Sequence, residues 1–476
     1  MPLTPRRATF ARALLAAALL AAGAVRADAV RLPAVPVYDI RLADHPVAGT
    51  PTTPRDPIAT RLRAALNRSN KYALTVWWKT YMTGVEPYQA AGERAQTSKT
   101  IDSEEVRRYS SIAYSLAASL ASGAYDPAVT GIDAVTATER VVEVVEYVVS
   151  THRANVAGSV GWGGSVQAAM WASQAATAGW LVGVALPAAS QVMVGRMLEY
   201  EADVVMNRPV HYLRDRSGRL LTPGDSGAEE LAWDAFGLYT AVELLPHHAH
   251  RPKWAAAAYA RFVGAFARPG DVRSTRVVNG RPLTEWLGGS NAEPDGYVVN
   301  HNRINPDYTT DIALWAAPLA QLVGTTLPAA VLEGVDTTYR ALTTKRFASP
   351  PFRAPGGSAY RPGSSAVYYP QDADWGAHRE AVYGSLDVQT AALSTNPQVR
   401  AVATKWAVVH LDVVRKMQAR YTTGQIYGAQ SEDHYRAREE HDAMLLGNAY
   451  LTWWQHANHG VALDQADPAT KKATLS

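Results

Sequence analysis

Apolar residues return every three to four positions through most of this chain, the spacing of helices that bury one side. Val106, Tyr109, Ile112, Ala113, Leu116 and Leu120 follow it, after an Asp102-Ser103 start with Glu105 behind it that predicts a capped helix. Glu139 to Val149 is rich in β-branched residues, yet its valine pairs recur at three-residue intervals and place it with buried helices. Residues 164–206 read as two closely packing helices broken near Pro187. A membrane hairpin is the alternative there, but Gln167, Gln174, Gln191 and Arg196 interrupt the stretch and favour core helices. Further helices are predicted at about 226–245, 251–268, 308–324, 328–343, 377–394, 397–421 and 433–456, with no alternating strand pattern between them. The expectation is an all-α chain of neighbouring helix pairs. Such pairs suit an (α/α) toroid, an incomplete or six-fold helical barrel with long loops around a central cleft. A superhelical array is the rival, but no fixed period is present.

The chain has no cysteine, so disulfides, thiolate metal sites and cysteine nucleophiles are excluded and a packed core must hold it together. Arg6, Arg7 and Arg12 precede an apolar or small run from Ala13 to Val25, and Ala27-Asp28-Ala29 supplies a small-x-small cleavage pattern. We expect residues 1–29 to be a signal peptide, because the run falls short of the roughly 20 residues that span a bilayer. Export then makes the protein secreted or periplasmic, and the paired arginines before Phe10 are compatible with the twin-arginine route. Residues 30–56, rich in Pro, Thr and Asp, are expected to form an extended arm, and 57–476 a single toroid domain. Removing residues 1–29 takes away four arginines and one aspartate, turning 46 basic and 43 acidic residues into 42 of each. A neutral chain argues against nucleic acid as a partner, and no stable membrane insertion is expected once the leader is cleaved.

Chemistry concentrates in the long loop 269–307, which holds Trp286, Gly288-Gly289-Ser290-Asn291, Glu293, Asp295-Gly296-Tyr297, Asn300-His301-Asn302-Arg303 and Pro306-Asp307-Tyr308. Pro306 and Asp307 should open a helix with Tyr308 in its first turn. The run Asp295-Gly296-Tyr297-Val298-Val299-Asn300-His301, with Tyr308 and an Ala/Leu-rich helix beyond, resembles the catalytic segment of (α/α)-toroid polysaccharide lyases. The hyaluronate and chondroitin AC type is nearest in pattern and the heparinase-like lyases are more distant. The chain departs from them in its compact Asn300-His301-Asn302-Arg303 cluster, and its length is expected to leave no room for their large β-sandwich modules. The resemblance implies cleavage of an acidic polysaccharide or oligosaccharide next to a uronic acid.

Such a β-elimination needs a donor that neutralises the carboxylate, a base for the C5 proton and an acid for the departing oxygen. Asn300 or Asn291 can neutralise the carboxylate, with Arg303 steering it. His301 and Tyr308 are the proton carriers, in either assignment. Tyr308 acts as base only where a cation such as His301 or Arg303 lowers its pKa from the usual value of about 10. Trp162, Glu230, Trp233, Trp375 and Arg379 are expected to bind the sugar: Trp162 precedes the Trp171 and Trp180 helix, Glu230 and Trp233 open another, and Trp375 and Arg379 follow the second long loop, 346–376. Residues 368–379 are expected to join the cleft. A hydrolase reading would need two carboxylates flanking the bond, Glu230 with Asp295 or Asp374; a non-catalytic glycan-binding protein is the remaining alternative. No cofactor is expected. No metal site is expected either, since His247, His248 and His250 beside Pro246 and the Glu439-Glu440-His441 run lack a ligand pattern.

Overall fold

Asp56 opens the first helix by accepting from the backbone N–H groups of Ile58 and Ala59, with Pro57 in its first turn. The computed structural model describes residues 53–83, 101–156, 161–310, 313–323, 326–429 and 431–468. The leader expected at 1–29 and all but residues 53–56 of the expected arm lie outside these. The described residues belong to one compact unit, Asp39–Ser476. They are mostly helical, and the strands among them are two-residue pairings.

The main helices are α1 (Pro57–Tyr72), α2 (Ile101–Ala121), α3 (Ala134–Ser150), α4 (Ala168–Val182), α5 (Ala188–Asn207), α6 (Ala228–Leu244) and α7 (Arg251–Ala265). After a long irregular stretch come α8 (Pro306–Thr310), α9 (Ala317–Leu322), α10 (Val335–Thr344), α11 (Glu380–Leu393), α12 (Pro397–Ala419) and α13 (Arg438–His459). Two classes separate by burial. α4, α6 and α11 are enclosed on nearly every side, and α13 on most. α1, α3, α10 and α12 bury one stripe and expose the other.

The contacts between elements follow the same division. α2 packs on α4, α4 on α6, and α6 on α8 and the 3-10 turn Ala313–Ala316. α8 then touches α11, α11 packs on α13, and α13 returns to α2. The one-sided helices lean against these from without: α3 on α2 and α4, α5 on α4 and α6, α7 on α6, α10 on α8 and α11, α12 on α11 and α1. Burial on all sides explains why the enclosed helices are rich in alanine, because small side chains let neighbouring backbones approach closely. Among the described residues, no helix is long and apolar enough to cross a membrane.

Two sequence expectations are corrected here. The stretch 308–324, expected as one helix, is broken into α8, a 3-10 turn and α9, with Pro318 near the start of α9 where its missing N–H does no harm. Asp102 and Ser103 lie inside α2, which already includes Ile101, so they do not precede it as a cap. The valine-rich segment 139–149 is helical within α3, and Asp133 caps that helix by accepting from Thr136 N–H.

Candidate functional site

The centre of the site is a hairpin whose two strands are two residues each. Val299 pairs with Ile304 and Asn300 with Arg303, leaving His301 and Asn302 as a two-residue connection. Both have positive φ, 52° and 60°, as tight hairpin connections of this length demand. Glycine or asparagine meets that demand cheaply; histidine does so at a cost of about 1–2 kcal/mol. Asn302 N–H donates to the Gly224 carbonyl at 2.9 Å. A side chain at Gly224, itself at φ +74°, would collide with Asn302, so this glycine is required for the close approach. Asn300 is fully buried and donates its two amide hydrogens to Ser226 O at 3.2 Å and Glu229 Oε1 at 2.6 Å. The tip is thus clamped to the start of α6.

What the clamp presents is an array of three side chains. Asp374 Oδ2 lies 3.1 Å from His301 Nδ1, and His301 Nε2 lies 3.4 Å from the Tyr308 hydroxyl. With Nδ1–H donating to Asp374, Nε2 is the lone-pair nitrogen and faces the phenol. The Asp374 side chain is 8% exposed and is held from two further sides by Arg303, at 2.9 Å, and by the Asn305 amide. The histidine side chain itself is 45% exposed. The Trp375 ring stands 6.0 Å from that imidazole.

Behind Tyr308, Asp307 is buried and accepts from the hydroxyls of Tyr369 at 3.0 Å and Tyr383 at 2.8 Å. Burial and the neighbouring Asp307 carboxylate hold both phenols well above their usual range, so they stay protonated as donors. Arg379 lies between Asp307 and Asp433, 3.2 Å from each. These contacts tie α8 to α11 and to the end of the 346–376 loop.

Two adjoining cavities meet at this point. The larger, ≈ 840 Å³, is lined by His301, Asn302, Asp225, Glu229 and Glu230 among others. The smaller, ≈ 430 Å³, is lined by Arg107, Arg379, Trp375, His434, Tyr435 and His441 among others. Gln167, Trp233 and Tyr308 line both and form their shared wall.

The structure therefore brings together His301, Tyr308, Trp233, Trp375, Arg379 and Glu230, and revises what several of them can do. Asn300 reaches the cleft but its hydrogens are engaged, so it braces the hairpin and is not a carboxylate donor. Arg303 backs Asp374 and is not among the cavity-lining residues. Arg379 carries two carboxylate partners of its own. Glu230 faces the cleft while accepting from His211 Nδ1 at 2.7 Å, a bond that raises the histidine's pKa.

Two expected residues fall outside. Asn291 is buried with both amide hydrogens given to the His211 and Gly264 carbonyls, and its oxygen accepts from Leu213 and Gly227. Trp162 is core, its indole N–H donating to Val148 O at 3.0 Å. Neither lines either of these two cavities. Asp295 pairs with Lys345 away from the cleft, which removes the Glu230–Asp295 carboxylate pair. His248 and His250 bond to Glu199 and Asp203 on α5.

Arg107, Gln167 and His441 were not anticipated as site residues. The available signal for the first was a polar line, Arg107, Ser111 and Ser115 at four-residue intervals on an otherwise apolar helix. No protein-family model, no curated protein and no solved structure matches the chain.

Proposed function

We propose that this protein is an exported polysaccharide lyase of (α/α)-toroid type that cleaves next to a uronic acid by β-elimination. The observation that carries the reading is the Asp374–His301–Tyr308 array, held on a left-handed hairpin tip where two cavities meet. Asp374 sets the imidazole tautomer, and the imidazole and phenol then act as one proton-transfer pair. The pair takes the C5 proton, the C5–H electrons form the C4–C5 double bond, the C4–O bond breaks, and a proton returns to the departing oxygen. The ring-like order of contacts among the enclosed helices, with one-sided helices outside, supports the toroid. Trp233 and Trp375 supply flat apolar faces of the kind that stack on sugars.

The test is ultraviolet absorbance of the protein mixed with a panel of uronate-containing polysaccharides, run beside a reducing-end assay. A conjugated double bond that disappears in His301→Ala and Tyr308→Phe is the expected result. New reducing ends without that absorbance would replace the lyase with a hydrolase built on the acidic lining of the larger cavity. Binding of the polysaccharides with neither signal would leave a glycan-binding protein.

A further inference from the structure

Arg107 is 5% exposed, and among the described residues it has no carboxylate partner. Its guanidinium stacks between Trp171 and Tyr435, 4.8 and 4.4 Å from their ring centres. Its NH1 group donates to Arg436 O at 3.2 Å and its NH2 group to Gln167 Oε1 at 2.9 Å, both uncharged acceptors. The other two enclosed arginines are compensated: Arg379 by Asp307 and Asp433, and Arg261 by Asp234. Enclosing a guanidinium costs several kcal/mol unless an anion meets it, and arginine cannot escape by losing its proton.

The surroundings repeat the message. His441 lines the same chamber and has its pKa driven well below the usual value, first by burial and then by Arg107 and Arg379. Gln167 has its oxygen fixed by Arg107, so its NH2 group, which has no partner among the described residues, is the end left for a ligand. That group stands on the wall shared with Tyr308.

We propose that the smaller chamber is an anion subsite in which Arg107 and Gln167 receive the carboxylate or sulfate of a sugar ring lying against Trp233 and Trp375. That the ligand is a sugar rests on the lyase reading above; the anion site rests on Arg107. Charge-assisted pairs of this kind are about twice as strong as neutral hydrogen bonds, which sets the preference for an acidic over a neutral ring.

The experiment is isothermal titration of the full chain with glucuronate, glucose 6-sulfate and glucose. Glucuronate, the sulfate ester or both should bind at least about tenfold tighter than glucose, and which of the two is tighter identifies the anion. Arg107→Gln should abolish that preference. Since Arg107 is enclosed, Gln167→Glu serves as the second variant: it places a carboxylate on the guanidinium, so it should abolish the preference while melting no lower than the parent. Glucose binding as tightly as both glucuronate and the sulfate ester overturns the subsite, as does a preference that survives in both variants. A preference that behaves as stated, with no unsaturated product from any uronate polymer, sinks the lyase reading alone. Unsaturated product formed at full rate by Gln167→Glu sinks the subsite alone.

Discussion

The two chambers share one wall and carry opposite charge. Around the larger stand Asp225, Glu229 and Glu230, with no lysine or arginine among the lining residues described. Around the smaller stand Arg107, Arg379, Arg436, His434 and His441, with Asp307 as the carboxylate, already tied to Arg379. The near-balanced total hides this division, since 46 basic against 43 acidic residues leave a formal net charge of only +3. For the proposed polymeric substrate, the difference would set a direction. On the proposed reading the acidic ring enters the smaller chamber, and the part that leaves lies in the larger one, where a neutral sugar meets no repulsion. Tyr308 lines both chambers, so on the same reading it would stand beside the bond that joins the two parts.

The largest expected effect breaks the proton-transfer array beside that wall. His301→Ala and Tyr308→Phe should each lower the rate of unsaturated-product formation by about 10²- to 10⁴-fold, the usual share of a general acid or base. Asp374→Asn should fall toward the lower end of that range, since it disturbs the imidazole's tautomer and leaves the ring in place. Steady-state rates at saturating polymer check this, and unchanged rates in all three would remove the array from the chemistry.

The next effect sharpens the charge contrast through two histidines. His211 hydrogen-bonds to Glu230 on the acidic side and is raised; His441 on the basic side is lowered by burial and by the two arginines. Their contributions to stability should therefore run in opposite senses. The His211 pair stabilises below its unfolded pKa of about 6.5, and that gain fades as pH rises through its raised folded value. His441 must stay neutral in the fold, so its contribution is lost as pH falls below about 6.5, where the unfolded chain takes up a proton first. Melting temperatures of His211→Gln and His441→Gln between pH 5 and 8 read out the two slopes, relative to the parent; parallel slopes would contradict the division.

The smallest effect is long-range. Asp225→Asn should raise kcat/KM on an acidic polymer by about twofold at low salt, and the gain should vanish near 1 M salt, where the screening length is about 3 Å. A gain that persists at high salt would have to come from local packing.

The helices were legible because each advertises a buried stripe in its own sequence, and 226–245 and 397–421 came within a few residues of α6 and α12. Stretch 308–324 was misread because its apolar composition continues across Pro318. His301 and Tyr308 were legible as neighbours, seven positions apart in one loop. Asp374 lies 73 positions from His301, and Gln167 lies 60 from Arg107, so those partnerships are created by the fold and leave no local pattern. Asn291 shows the converse. Its glycine-flanked, polar setting looked like a ligand site, yet the same groups serve the backbone of three separate segments.

The left-handed backbone at His301 sets two demands on that codon against each other. Replacement by glycine or asparagine relaxes the hairpin and removes the imidazole in a single step. A saturation library at position 301 sorted only for survival of heating should drift toward those two residues. The same library sorted for product should return histidine. The position thus acts as a gauge of which pressure a lineage of this protein has been under.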